Sequence, residues 1–365
     1  MTLDLQFLNS VEVSGEADAT IVKVGPGATW GTIYQKLDPL GLTVAGGRVA
    51  GVGVGGLTLG GGISHLSAQH GWTCDTVLNF QVVLSDGSIV DANANQNPDL
   101  FFALRGGSNN FGVVTRLDFE TFPQGDLWTA SLVCSTEVVD SNIREFVNAS
   151  KAEGYDENAS FIMSFAYIGS MGTSIIANTL LYTKPIANPP VYQGFMKLPT
   201  IQSSSSFKNM STSALEADAM VPKGARSLYR TCTVVSTEEM IKAVYRLWTE
   251  AADKVKGAKD ISWVLSVDPL PPAFYGREAG SNALGLTGRE GKALLIVLLD
   301  VRWSGEGDDD LITKTARKLF DDVSALVAVV LFYHSSARIM ETDIITFYRS
   351  RSKQRSSKPM THSYT

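Results

Sequence analysis

Between Ala45 and Gly71 the chain reads AGGRVAGVGVGGLTLGGGISHLSAQHG, with no charged residue from Val49 to Ser64. Glycine recurs too often here for a good helix or strand, because it loses the most backbone entropy on ordering. The missing Cβ also lets a backbone turn sharply and lets a ligand approach closely. N–H groups that point one way form a concave anion site without a lysine. The stretch therefore reads as a backbone cradle for a large cofactor carrying a pyrophosphate. A flexible linker is the competing reading. Val52, Val54, Leu57, Leu59, Ile63 and Leu66 interleave with the glycines, however, and linkers lack such residues.

The rest of the composition narrows the partners. A net charge of −6 over 365 residues argues against nucleic acid or an anionic membrane surface. No apolar run reaches transmembrane length, and MTLDLQFLNS lacks the basic start and apolar core of a signal peptide. Cys74, Cys134 and Cys232 lie far apart with no CxxC spacing, which argues against zinc or redox motifs. His65 and His70 are five residues apart and do not share a helix face, so no metal site is expected. Sequons at Asn148, Asn158 and Asn209 hint at a secreted form, and the compartment stays open.

In chain order, Thr20 to Val24 is a short strand. Gly25-Pro26-Gly27 turns the chain, and Thr29 caps a helix through Trp30, Ile33, Tyr34 and Leu37. After the glycine stretch, Thr76 to Leu84 is a strand, Ser85 to Ser88 a turn, and Ile89-Val90 the return. Asn97 as N-cap and Pro98 at the first helical position open a helix through Leu104. Arg105 to Thr115, RGGSNNFGVVT, is a second glycine-rich loop running into the strand Val113 to Phe119. Past Pro123 the character changes. Asp140 to Ala152 is helical, and Ser160 to Ile168 and Thr173 to Tyr182 are strands. The serine-rich Gln202 to Ser213 reads as loop. Ser236-Thr237-Glu238-Glu239 is a capping box opening a helix to Val255. Ile261 to Val267 is a strand, Ala293 to Val301 a buried central strand, and Asp309 to Val327 a helix. This half reads as α+β, with helices on one face of a sheet.

Gly51, Gly53 and Gly56 match G-x-G-x-x-G, and Asp75 lies about twenty residues on, as a nicotinamide-binding fold requires. A Rossmann loop must feed directly into a helix. Gly60-Gly61-Gly62 falls in the first turns of that helix, at about 1 kcal/mol each relative to alanine. A nicotinamide-dependent dehydrogenase is therefore the weakest of three readings.

VGVGGLTLGGGISHLSAQHGWTCDTVLNFQVVLSDGSIV, followed by NPDLFFALRGGSNNFGVVT, resembles the FAD-linked oxidoreductases with a PCMH-type FAD-binding domain. The likeness is to the berberine-bridge-enzyme and 6-hydroxynicotine-oxidase-like branch, in the form common in fungal secondary metabolism. It extends more loosely to about residue 325, including FYGREAGSNALGL. The resemblance implies an α+β chain: an incomplete FAD-binding domain over 1–123, a substrate domain over 124–327 with an antiparallel sheet covered by helices, and a divergent, disordered tail over 328–365. It implies FAD contacts from Gly53, Gly55, Gly56, Leu57, Thr58, Gly60, Gly61 and Gly62, and from Gly107, Asn110, Gly112, Val113 and Val114 near the adenine end.

The departures from the family bear on the chemistry. The R-x-G-G-H loop, whose histidine often bonds the flavin, is absent. Val49 stands where some members carry a second flavin-bonding cysteine, and the C-terminal Asn-Tyr motif is missing. The expectation is a chain truncated at both ends. The resemblance implies an FAD-dependent oxidase that passes a hydride from a small secondary metabolite to flavin N5, with molecular oxygen as acceptor; the charge and the lack of a long apolar run add the expectation of no nucleic acid or membrane partner. The second reading is an inactive remnant that binds no flavin. Tyr167 and Tyr275 are candidate substrate-side groups, although packed tyrosines are commoner, and no catalytic residue is named.

Overall fold

The computed structural model describes residues 3–15, 21–221, 224–276, 280–286 and 291–333. Up to Pro123 the chain forms β1 (Val11–Ser14), β2 (Ile21–Val24), α1 (Trp30–Leu37), β3 (Leu42–Thr43), α2 (Val54–Leu59) and α3 (Ser67–His70). There follow β4 (Val77–Val83), β5 (Ile89–Ala92), α4 (Pro98–Leu104), β6 (Val113–Glu120) and β7 (Phe122–Pro123). Five of these strands make one sheet in the order β1-β2-β6-β4-β5, and β3 pairs with β7 alone. Every neighbouring pair in the sheet is antiparallel. A Rossmann fold needs parallel strands joined by helical crossovers, so this pairing removes the nicotinamide reading.

Beyond Pro123 come β8 (Leu127–Ser135), α5 (Val139–Ala149), β9 (Ala159–Ile168), β10 (Thr173–Tyr182), β11 (Gln202–Lys208), α6 (Met210–Ala219) and β12 (Arg226–Val235). The remaining elements are α7 (Glu238–Val255), β13 (Ser262–Leu270), α8 (Pro272–Tyr275), β14 (Leu294–Trp303) and α9 (Asp309–Tyr333). A seven-stranded sheet runs β11-β8-β10-β9-β13-β14-β12, antiparallel throughout. Alternate residues on its strands, such as Phe165, Trp263, Leu265 and Leu299, pack under Phe146 of α5, Trp248 of α7 and Ala316 of α9. This is the expected α+β arrangement, with helices on one face of the sheet.

Several local expectations are corrected. Gln202 to Ser213 is not loop: it holds β11 and the start of α6. The strand is almost wholly exposed and owes its form to pairing with β8 alone, so it carries no hydrophobic alternation. Asn209 caps α6, accepting the Thr212 N–H at 2.9 Å. Strand β1 went unread, being four residues long at the sheet edge. Thr237, not Ser236, caps α7, accepting the Met240 N–H at 3.2 Å. Asn97 sits at the start of α4 in the left-handed region (φ 51°), but its side chain makes no cap. It donates instead to the Asp91 carbonyl at 2.7 Å. Helix α9 continues past Val327 to Tyr333, while residues 334–365 of the expected tail lie outside the described residues.

The two sheets have separate cores. Met210 and Ala214 of α6 pack into the first core, against residues such as Trp30 and Ile33. A small third cluster of Trp72, Cys74, Leu270, Phe274, Tyr275 and Leu294 joins the halves beside the glycine stretch.

Candidate functional site

The glycine stretch contains a helix after all, the six-residue α2. It ends at Gly60, so the triple glycine terminates the helix instead of opening it. Its glycines divide into two kinds. A Cβ on Gly53 or Gly56 would meet nothing within 4 Å, and one on Gly60 would touch only the carbonyls of Gly56 and Leu57. All three are exposed. Gly56 lies within α2, and Gly53 and Gly60 cap its two ends, so the three leave bare backbone along it. The others shape the backbone. A Cβ on Gly55 would press on Pro26, and Gly61 and Gly62 have φ of 104° and 83°. Thr58 is fully buried, and its hydroxyl donates to the Val54 carbonyl at 2.8 Å. Leu57 packs into the first core.

Some backbone N–H groups of this stretch are used internally. Val54 and Gly55 donate to the carbonyls of Ala28 and Pro26, Ala50 to Ala214, Gly60 to Gly56 and Gly61 to Thr58. The Gly51 N–H donates to the Asp218 carboxylate at 3.1 Å. The N–H groups of Gly47, Val49, Gly53 and Gly62 have no hydrogen-bond partner among the described residues, so donors remain beside the side-chain-free surface.

The second loop stands against the first: the Ser108 N–H donates to the Leu59 carbonyl at 2.9 Å. Asn110 is exposed, and its amide donates to the Gly107 carbonyl at 2.9 Å. A Cβ on Gly107 would overlap Ala103 and Phe111, and Gly112 has φ of 140°. Val113 and Val114 lie in β6 opposite Val83 and Val82. Val114 is buried and Val113 half-buried, which is ordinary strand packing.

Polar residues that sequence reasoning passed over tie this region to the second sheet. Arg48 forms a two-pronged ion pair with Asp268 of β13, at 2.7 and 3.3 Å. His65 Nδ1 lies 2.9 Å from the Ser160 hydroxyl of β9. Burial, reinforced by the Arg48 charge, lowers the His65 pKa to about 3. The buried Arg105 guanidinium donates to the carbonyls of Cys74, Asp75 and Ser281, and the Ala283 N–H donates to the Arg105 carbonyl at 2.8 Å. Asn282 donates to the Asp75 carboxylate at 2.8 Å. Residues 281–284 are thereby strapped across the glycine loops, and Leu284 is what a Cβ on Gly61 or Gly106 would meet. The available signal was Arg48 itself, the last charged residue before a long uncharged run. Its partner, 220 positions away, had none.

Tyr167 packs against the helix-covered core of the second sheet. Tyr275 is buried, and its hydroxyl donates to the Lys292 carbonyl at 2.8 Å. A cavity of about 240 Å³ beside it is lined by Phe102, Asn282, Ala283 and Leu286 among others. No helix among the described residues is long and apolar enough to cross a membrane.

A family described as an FAD binding domain matches residues 1–93. The "Oligopeptidase PhomG'" of Diaporthe leptostromiformis is 45% identical over 273 residues, covering 74% of this chain and 22% of that protein. The FAD-dependent monooxygenase sdcF of Emericella nidulans is 31% identical over 333 residues, covering 88% of this chain and 68% of that protein. The chain spans 62–66% of the length of three further fungal proteins described as FAD-dependent monooxygenases. Among solved structures, the xylooligosaccharide oxidase of Myceliophthora thermophila C1 shares the fold. The TM-score is 0.71 and the identity 23%, over 89% of this chain and 69% of that one. The chain belongs to the FAD-linked oxidoreductases that carry this FAD-binding domain, the family of the fungal FAD-dependent monooxygenases it matches, whose cofactor is FAD, and it shares its fold with 6-hydroxy-D-nicotine oxidase of Arthrobacter nicotinovorans (TM-score 0.71, 17% identity, over 94% of this chain and 72% of that one).

Proposed function

We propose that the protein is an FAD-dependent oxidase of a small secondary metabolite, working in natural-product biosynthesis. The observation that carries this reading is the bare backbone along α2. Gly53, Gly56 and Gly60 present backbone to open space where a Cβ would meet no neighbouring side chain. A flat, extended cofactor needs bare backbone; Gly125, Gly257 and Gly307 are open too, but singly, whereas Gly53, Gly56 and Gly60 fall together within the FAD-binding-domain match. In this reading residues 1–123 form the FAD-binding domain and 124–327 the substrate domain.

The fit of FAD to this region rests on roles that differ by residue. Gly53, Gly56 and Gly60 would lie against the cofactor. Gly55, Leu57, Thr58, Gly61 and Gly62 would hold the surface in shape. Gly107, Asn110, Gly112, Val113 and Val114 would line the second loop. FAD, when bound, supplies hydride acceptance at N5 and reoxidation by molecular oxygen. The chain's own contribution is to orient the substrate and exclude water. The strap at 281–284, held by Arg105 and Asp75, closes one side of the glycine loops.

Relatives described as FAD-dependent monooxygenases favour a second outcome, in which oxygen is incorporated into the product. Reoxidation tests oxygen as the electron acceptor, which both readings share, without a known substrate. The FAD-loaded chain is photoreduced under nitrogen and mixed with oxygenated buffer. Reoxidation about tenfold faster than free reduced FAD, with one hydrogen peroxide released per flavin, supports oxygen as the acceptor; with substrate present, peroxide still released one per flavin marks the oxidase and peroxide lost to oxygen insertion marks the monooxygenase. A rate no faster than free reduced FAD contradicts oxygen as the acceptor.

A further inference from the structure

Helices α7 and α9 pack against each other over the second sheet. Between the start of α7 and the later turns of α9 runs a groove of about 470 Å³, within the roughly 300–1,000 Å³ of binding pockets. Its apolar lining comes from Val235 at the end of β12, Met240 and Ala243 of α7, and Ala325 and Leu326 of α9. Ala243 and Ala325 line it from the two helices, and neither side chain is long enough to fill the space. Met240 is buried and belongs to the core under the helices, so the groove reaches down to that core. Apolar surface left open in this way marks an interaction site.

The rest of the lining is Thr237, Glu239 and Asp322, with no basic residue among the described ones. Asp322 pairs with Lys318 one turn earlier on α9. The Glu239 carboxylate is exposed, and no ion pair or hydrogen bond holds it among the described residues. A glutamate in the first turn of a helix also favours the helix dipole. Beside an apolar groove, however, it selects a partner that is apolar at one end and cationic at the other.

The chain carries such a segment itself. Residues 334–365 lie outside the described residues, but their chemistry is plain from the sequence. Ile344, Ile345, Phe347 and Tyr348 form an apolar cluster. Arg349, Arg351, Lys353 and Arg355 follow, and no acidic residue comes after Asp343. Helix α9 ends at Tyr333, seven residues past Leu326, or about 10 Å at roughly 1.5 Å per residue. The eleven residues from Tyr333 to Ile344 span up to about 36 Å when extended, and a loop of that length costs little more to close than a shorter one. We propose that the 344–348 cluster of this chain occupies the groove between α7 and α9, with the basic run after it set against Glu239. The docking is intramolecular, and no residue of the glycine loops takes part, so it stands apart from the flavin reading.

The test uses the full chain with the photo-crosslinking residue p-benzoylphenylalanine in place of Phe347. After irradiation and digestion, mass spectrometry is expected to find the crosslinks on α7 and α9, at Met240, Ala243 or Leu326, and within single chains. Ala243→Trp fills the groove and should cut their yield at least about fivefold. Glu239→Lys, at an exposed position, should cut it about threefold at low salt and less at high salt. An unchanged urea midpoint shows that each variant is folded. Crosslinks spread over other surfaces, crosslinks that join two chains, or none at all overturn the proposal. So does a yield unchanged in whichever of the two variants folds.

Discussion

Arg48 and Asp268 meet at 2.7 Å across the junction between the glycine stretch and the second sheet. The carboxylate is 6% exposed and the guanidinium 20%. Breaking a buried pair from one side leaves an uncompensated charge and costs about 3–5 kcal/mol. Arg48 retains some solvent, so Asp268→Ala should cost about 3 kcal/mol in urea unfolding, at the lower edge of that range. The double variant Arg48→Ala/Asp268→Ala should lose less than the sum of the two single losses. Strict additivity would show that the pair is not coupled.

His65 should make stability depend on pH in the acid range. Its folded pKa of about 3 lies well below the ordinary imidazole value of 6.5. Between those values the unfolded chain binds a proton that the folded chain refuses, so stability falls as pH drops from about 6 toward 3. The slope from one such group reaches at most about 1.4 kcal/mol per pH unit. His65→Asn should flatten this dependence while leaving stability near pH 8 within about 1 kcal/mol. An unchanged slope across pH 6 to 4 would remove His65 as the cause.

Two glycine substitutions should separate cofactor contact from backbone shape. Gly56→Ala adds a helix-favouring residue facing open space, so it should raise stability by up to about 1 kcal/mol. It should also weaken FAD binding, read by quenching of flavin fluorescence. Gly62→Ala forces a side chain into a φ of 83° against Leu57 and Thr73. The strain and overlap should cost about 3 kcal/mol. If Gly56→Ala binds FAD as well as the parent, the bare backbone along α2 is not the cofactor surface.

What the amino-acid pattern revealed, and what it hid, follows from how local the determinants are. Helix α7 carries its own periodicity and strand β14 an unbroken apolar run of strand length, and both were legible within a few residues. Strand β11 was hidden because its serines bury nothing and only β8 gives it a partner. The motif located the glycine loops, but bare and packing glycines look alike in one dimension. Gly56 is distinguished from Gly55 by Pro26, and Gly60 from Gly62 by Thr73. The polar ties of the site join positions far apart, Arg48 with Asp268 and Asp75 with Asn282. No spacing rule reaches across such distances.

The most direct test of the account is the visible absorption spectrum of the purified chain after incubation with FAD and gel filtration, taken before and after acid precipitation. The account predicts a flavin band that travels with the protein and is released into the acid supernatant, since Val49 offers no thiol for a bond to the flavin. A chain that stays colourless would contradict the flavin reading and leave the remnant that binds no cofactor.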